Sequence, residues 1–379
     1  MFVKKIISLV VACIVFLISG AKAENNTSLE IHAKSVVLME AGTGEILYEI
    51  NKEEQLPIAS VTKIMTMLLI CEDLDSGKIT LDDMVPVSER AMSMGGSTMF
   101  LETGESLLVS DMLKGIAVAS ANDGCVAMAE FLEGSVESFV DRMNKRAKEL
   151  AMENTNFVNT NGLDADNHYS SAEDVAKMSR ELLKHDVIFN YTTIWTDSLR
   201  DGKFELANTN KLVRFYDGAT GLKTGSTSKA LCCISATAKR EDMHLIAVVL
   251  GAPDSKTRFA DARTLLDYGF SAYSVKKYVL REEPLEDVTV LKGETEKLPV
   301  YAKDEVSVLK PRGGGEEAQK EIRIYENLKA PITAGDCVGE IIITSNGEEV
   351  GRTEVCAGAS IKKKTFFATF CDVIDKLMG

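Results

Sequence analysis

The chain is poor in the groups that carry many familiar chemistries. Among 379 residues it has four His, one Trp and seven Pro, and aromatic residues make up 6%. His32, His168, His185 and His244 are scattered, and none stands in a metal-ligand spacing. No G-x-S-x-G elbow and no H-E-x-x-H occurs, which removes the sequence signals for an α/β-hydrolase or a zinc peptidase. Positive charge is the scarcer sign: 43 Lys and Arg face 57 Asp and Glu, a formal net charge of −14. An acidic chain of this kind has no general attraction for nucleic acid. No C-x-x-C pair is present, so neither a zinc ribbon nor a thioredoxin-like motif is supported. Of eight Cys, Cys13 lies in the N-terminal apolar run. The seven beyond it are an odd, scattered set rather than a disulfide framework. Whether Cys337 and Cys356 pair is open.

What is present describes a folded protein. Hydrophobic residues make up 45% of the chain, enough for a sizeable core, and the length suits one large domain and one small one. Lys4 and Lys5 precede the apolar run Ile6 to Ile18 and an Ala21-Lys22-Ala23 end. That pattern reads as a secretory signal over residues 1–23, too short for a comfortable membrane span. Ser35 to Met39 and Ile46 to Tyr48 flank a Gly-rich turn and read as a hairpin. From Ser60 an apolar stripe at helical spacing follows through Ile64, Met67, Leu68 and Cys71. Further helices are expected over 109–132, 136–152, 172–183 and 260–268, with a buried strand over 245–250. After about Tyr273 short Val/Ile segments alternate with charges, and Asn346-Gly347 signals a tight hairpin. Residues 283–357 thus read as a small all-β domain after a larger unit over 24–282. The tail over 358–379 carries Lys362-Lys363-Lys364 and then a Phe-rich stripe, as an amphipathic helix on a membrane surface would (residues 362–378).

Three short motifs occur in order: Ser60-Val61-Thr62-Lys63, Ser120-Ala121-Asn122 and Lys223-Thr224-Gly225. The first pattern recurs at Ser226, Ser274 and Ser360, so context singles out Ser60: it follows Pro57-Ile58-Ala59 and opens a helix. Residues three apart share a helix face, so Lys63 can reach the Ser60 hydroxyl. A serine is a weak nucleophile that needs an adjacent base. Lysine serves as one only if its pKa falls, and burial or a second cation such as Lys223 lowers it. The Ser120 hydroxyl could relay a proton to a leaving amine, and the Asn122 amide could meet a substrate carbonyl. Gly225, at the edge of an expected strand, would let an extended substrate approach the backbone. Lys223 and Thr224 would offer charge and a hydroxyl to an anionic end.

In this order the motifs resemble those of the penicillin-binding protein and serine β-lactamase superfamily. The chain is most similar to its D-alanyl-D-alanine carboxypeptidases, through Pro57 to Thr66, Gly96-Ser97-Thr98-Met99-Phe100, Asn208-Thr209-Asn210, Gly221 to Gly225, and Arg258 with Leu265 to Phe270. The resemblance implies an α+β, β-lactamase/transpeptidase-like domain with an antiparallel sheet flanked by helices, followed by the β domain and tail. It also implies an extracytoplasmic enzyme of cell-wall biogenesis and cell shape, acting on peptidoglycan stem peptides and acylated by β-lactam antibiotics, with no cofactor. Ser60 would attack the carbonyl between two terminal D-alanines, Lys63 would take its proton, and Ser120 would pass one to the departing D-alanine. Asn122 would bind the peptide, Lys223, Thr224 and Arg258 the terminal carboxylate. The N–H groups of Ser60 and Ser226 would form the oxyanion hole. Ala121 replaces an Asp of the superfamily pattern, and Lys229-Ala230-Leu231 replaces a more usual Ala-Gly pair. Alternatives are a β-lactamase or D,D-endopeptidase of the same superfamily, or a non-catalytic penicillin-binding module. The first lacks an evident deacylating Glu between Asn122 and Lys223; Glu173 reads as a solvated helix face.

Overall fold

Alternating side chains lay out the central sheet. In the strand Met243–Ala252, Leu245, Ala247 and Val249 enter one apolar core while Ile246, Val248 and Leu250 enter another, on the opposite face. The structure is a computed structural model, and it describes residues 29–314, 317–366 and 370. The segment read as a signal (1–23) and most of the proposed membrane helix (362–378) lie outside the described residues.

Five strands form the sheet: β1 (Ser35–Glu40), β2 (Ile46–Ile50), β3 (Ala219–Thr227), β4 (Leu231–Arg240) and β5 (Met243–Ala252). Their order is β2-β1-β5-β4-β3, all antiparallel, so the sequence-distant hairpin pairs with β5. Strand β3, with the Lys-Thr-Gly motif, is left at the edge. One face carries α1 (Lys63–Asp75), α2 (Asn122–Glu133), α3 (Val136–Glu149) and α4 (Ala172–Leu182). The other is covered by α5 (Ser255–Ala272), longer than its apolar stripe suggested because Asp254 caps it well upstream by accepting from Thr257 N.

Two helical expectations change. Helix α1 is not amphipathic: Lys63 to Cys71 are all buried, as befits a helix apolar on every side at the centre of a large core. The helix expected over 109–132 is broken. A short helix Val109–Lys114 runs into a π turn, Gly115–Ala119, and the chain reverses through Ser120 at φ 63° before α2 begins.

The β-rich end has its own apolar core, including Val279, Leu298, Val300, Ile341, Ile343 and Val355. Strand β6 (Tyr273–Val279), upstream of the expected boundary at 283, pairs with β8 (Val306–Pro311). A four-stranded antiparallel sheet follows in the order β7-β11-β10-β9, from β7 (Val300–Ala302), β9 (Gln319–Ile324), β10 (Cys337–Ser345) and β11 (Glu348–Ala357). Asn346 and Gly347, both at positive φ, make the two-residue turn between β10 and β11. Cys337 and Cys356 stand opposite each other across those strands as free thiols.

Candidate active site

Ser60 sits in a single 3-10 turn, Ala59–Thr62, immediately before α1, and its side chain caps nothing. Two glycines make this tight placement possible. A Cβ at Gly162 would lie 1.8 Å from Ala59 O, and one at Gly225 would lie 2.8 Å from both Ile58 O and Ser60 N. The room at Gly225 is therefore used by the protein's own Ile58–Ser60 backbone, where an approaching substrate was expected. Strand β3 is thereby seated against the nucleophile turn.

Lys63 is fully buried, and its Nζ lies 2.9 Å from Ser60 Oγ, 2.7 Å from Asn122 Oδ1 and 2.7 Å from Asn161 O. Three acceptors suit an ammonium group. A neutral amine fits equally well: two N–H groups donate to the amide and carbonyl oxygens, and its lone pair accepts from the serine hydroxyl. Only the direction of the Lys63–Ser60 bond differs between the two states. Burial lowers the Lys63 pKa to about 8. Lys223, also fully buried, is held well below the ordinary lysine range, first by burial and then by the charge of Lys63. Lys223 was expected to be the cation that depresses Lys63. The charge of Lys63 lowers the Lys223 pKa, whereas it is burial that lowers the Lys63 pKa; Lys223 Nζ donates to Thr224 O at 3.0 Å.

Around this pair the other motif residues take definite positions. Asn122 opens α2; its N donates to Ser97 O and its Nδ2 to Gly95 O, fastening the 95–97 loop to the site. Both ends of the amide expected to meet a substrate are thus engaged within the protein, leaving one Nδ2 hydrogen. Ser120, 4% exposed, follows the π turn in a left-handed conformation, the kind of local strain that persists where the surroundings over-determine it. Thr224 Oγ1 donates to Thr209 Oγ1, and Asn210 Nδ2 to Gly221 O, so the 208–210 segment straps the outer side of β3. Arg258 Nη1 donates to Gly225 O and Cys233 O, and Nη2 to Ser255 Oγ. In this state Arg258 is a staple between α5 and strands β3 and β4. Ser226 is exposed at the far end of the motif, its Oγ 3.7 Å from Cys232 Sγ.

Several contributors escaped sequence reasoning. Asn161 acts through its backbone carbonyl, which any residue could supply; only Gly162 after it marks the close approach. The Cys125 thiol, raised to about 11 by burial, faces the charges of Lys63 and Lys223. His168 lies behind the nucleophile turn. Its Nδ1 accepts from Val158 N, so Nε2–H donates to Thr62 Oγ1 at 2.8 Å, and burial lowers its pKa to about 4. Glu173 is paired with Lys52 and Lys177 on α4, and no carboxylate among the described residues hydrogen-bonds to Ser60 or Lys63.

Comparison with known proteins gives the same picture. Residues 21–254 match the family described as D-alanyl-D-alanine carboxypeptidase, and residues 273–363 match the C-terminal domain of penicillin-binding protein 5. The chain is 45% identical over 365 residues to D-alanyl-D-alanine carboxypeptidase DacF of Bacillus subtilis, spanning 95% of this chain and 93% of that one. Penicillin binding protein 5 from Haemophilus influenzae superposes with a TM-score of 0.74 at 29% identity, over 89% of this chain and 99% of that one. Penicillin-Binding Protein D2 from Listeria monocytogenes, in an ampicillin-bound form, superposes with a TM-score of 0.59 at 30% identity, over 64% of this chain and 99% of that one. The contact of Ser60 with buried Lys63, the edge strand that carries Lys223 and the trailing β domain accordingly belong to a member of the D-alanyl-D-alanine carboxypeptidase family.

Proposed function

We propose that this protein removes the terminal D-alanine from peptidoglycan pentapeptide stems through an acyl-enzyme on Ser60, and that β-lactams acylate the same serine. The observation that carries this reading is the 2.9 Å contact between Ser60 Oγ and a buried lysine whose pKa is lowered to about 8. Neutral Lys63 accepts the hydroxyl proton as Oγ attacks the carbonyl between the two D-alanines. The N–H groups of Ser60 and Ser226 stabilise the developing oxyanion. Ser120 hands a proton to the departing amine; Asn122 orients the peptide, and Lys223, Thr224 and Arg258 hold the terminal carboxylate beside Gly225. Water, deprotonated by the same machinery, then attacks the ester and frees Ser60.

Residues 1–23 act as an export signal, 24–282 as the catalytic unit and 283–357 as a spacer or interaction domain in this reading. Residues 362–378 attach the enzyme to the outer face of the membrane, where its work bears on cell shape. No helix among the described residues is long and apolar enough to cross a membrane. The test is direct. Incubation with a D-Ala-D-Ala-ended pentapeptide should release one equivalent of D-alanine, and a fluorescent penicillin should label wild type and not Ser60→Ala. A folded protein that takes the label but releases no D-alanine would overturn the substrate assignment. Rapid turnover of the penicillin adduct would favour a β-lactamase.

A further inference from the structure

Lys63 depends on a loop that none of the three motifs marks. Residues 156–169 are closed at the neck, where Asn156 N donates to Tyr169 O and Tyr169 N to Asn156 O. The far side of this loop supplies the Asn161 carbonyl that Lys63 Nζ meets at 2.7 Å, and Thr160 O accepts from Thr66 Oγ1 of α1 at 2.6 Å. Just past the neck, Ser170 pairs with Leu56 on the approach to Ser60. Loop and nucleophile turn are pressed together, since a Cβ at Gly162 would lie 2.8 Å from Thr62 Oγ1.

His168 stands in the seam between them. Its ring is buried, with its centre 5.9 Å from that of Phe157. Nδ1 accepts from Val158 N of the loop, which leaves the one ring proton on Nε2, and this donates to Thr62 Oγ1 of the nucleophile turn. The two bonds differ in what could replace them. Val158 is 44% exposed, so water can take over its N–H, whereas Thr62 is fully buried and has no such recourse. Burial lowers the His168 pKa to about 4 against the charge of Asp164, a carboxylate that itself accepts from Thr227 Oγ1 at 2.7 Å. The ring is therefore neutral throughout the range in which Lys63 titrates.

We propose that His168 is a positioning residue for acylation: by joining Thr62 to Val158 it holds the turn of Ser60 against the loop of Asn161 and keeps water from the Lys63 amine. The inference rests on the reading of Lys63 as the base. Burial is the chief cause of the lowered Lys63 pKa, and the titratable groups that face Lys63 are Cys125, Asp123 and Lys223. Asp123 is held by the N–H groups of Met99, Leu101 and Gly124. These groups belong to α2 and β3, so a change at His168 leaves them in place and reaches Lys63 through its hydration. Opening the seam admits water, which favours the ammonium form.

The pH profile of acylation by a chromogenic β-lactam tests this, with the melting temperature of each variant measured alongside. In His168→Ala the midpoint should rise from about 8 by about one unit, so that acylation at pH 7 slows about tenfold and most of the wild-type rate returns by about pH 10. His168→Gln places an N–H where Nε2 stands and should keep the wild-type midpoint. His168→Asn replaces only the Nδ1 acceptor and should behave as His168→Ala does. Thr62→Val removes the hydroxyl, keeps the branched shape and reads the same bond from its other end, so its midpoint should rise as well. The Thr62→Val/His168→Ala protein should shift no further than either single variant. A lowered melting temperature with an unmoved midpoint, in His168→Ala or in Thr62→Val, would overturn the proposal and leave His168 as packing. Rescue by Asn and not by Gln, or additive shifts in the double variant, would overturn it too. A wild-type rate that does not rise with pH is a different result, and overturns the reading of Lys63 as the base.

Discussion

The catalytic unit and the β domain spend their polar groups in opposite ways. In the first, Lys63, Asn122, Asp123, Lys223 and Arg258 are buried, and the site adds a left-handed Ser120 and a π turn. In the second, the interior is almost wholly aliphatic and the charges pair on the surface, as Arg352 does with Glu340 and Glu349. Burying a cation without a counter-charge lowers its pKa and destabilises the fold. The contrast teaches that reactivity resides where the fold tolerates that penalty.

The sharpest way to break the comparison is Ser60→Ala. The half-buried Ser60 bonds only Lys63 among the described residues, so the variant should fold with a small change in melting temperature while acylation falls by about 10³-fold or more. Intact-protein mass after penicillin treatment checks it. A labelled Ser60→Ala protein would move the nucleophile elsewhere.

Next is the pH dependence of the lysine. Lys63 is the base only when neutral, so acylation should rise with pH along a single ionisation with a midpoint at about 8. At pH 7 about a tenth of the sites would be active. Stopped-flow acylation by a chromogenic β-lactam gives the profile. Lys63→Ala should lose about 10²- to 10⁴-fold and flatten it. A midpoint near the ordinary lysine value would mean that the pocket is wetter than the burial of Lys63 requires.

How far the sequence foretold this division depends on whether the information was local. Ser60 and Lys63 are three apart on one helical turn, the Val/Ile alternation of β5 follows from the pleat, and Asn346-Gly347 specifies its own turn. These could be read residue by residue. The chain break at 115–121 could not, because Gly115–Ala119 is an apolar helix former held in a π turn by tertiary contacts. The Asn161 carbonyl, 98 residues from Lys63, and the Arg258 staple, 33 residues from Gly225, leave no composition signal. What local pattern missed were backbone groups and long-range partners, and these set the chemistry of the lysines.

Gly225→Ala tests whether the seam between β3 and the nucleophile turn is as tight as its 2.8 Å approaches indicate. Overpacking there should cost about 1–3 kcal/mol and slow acylation by displacing Ser60. Thermal melts and acylation rates measured on the same variant should move together. A stable Gly225→Ala protein with a normal rate would show that the seam relaxes without consequence.

The smallest effect on chemistry is expected from the largest change in the β domain core. Ile341 is fully buried among aliphatic side chains far from any motif residue in sequence, and Ile341→Ala removes three carbons there. Its cost should be about 2–5 kcal/mol, drawn entirely from the β domain. If the two regions are as separate in function as their polar groups suggest, calorimetry will show a lowered transition for that domain. The acylation rate at a temperature below it will match wild type. Equal stability loss with a slowed acylation would join the two regions, and the β domain would then have to be counted among the elements that hold Ser60 and Lys63 in place.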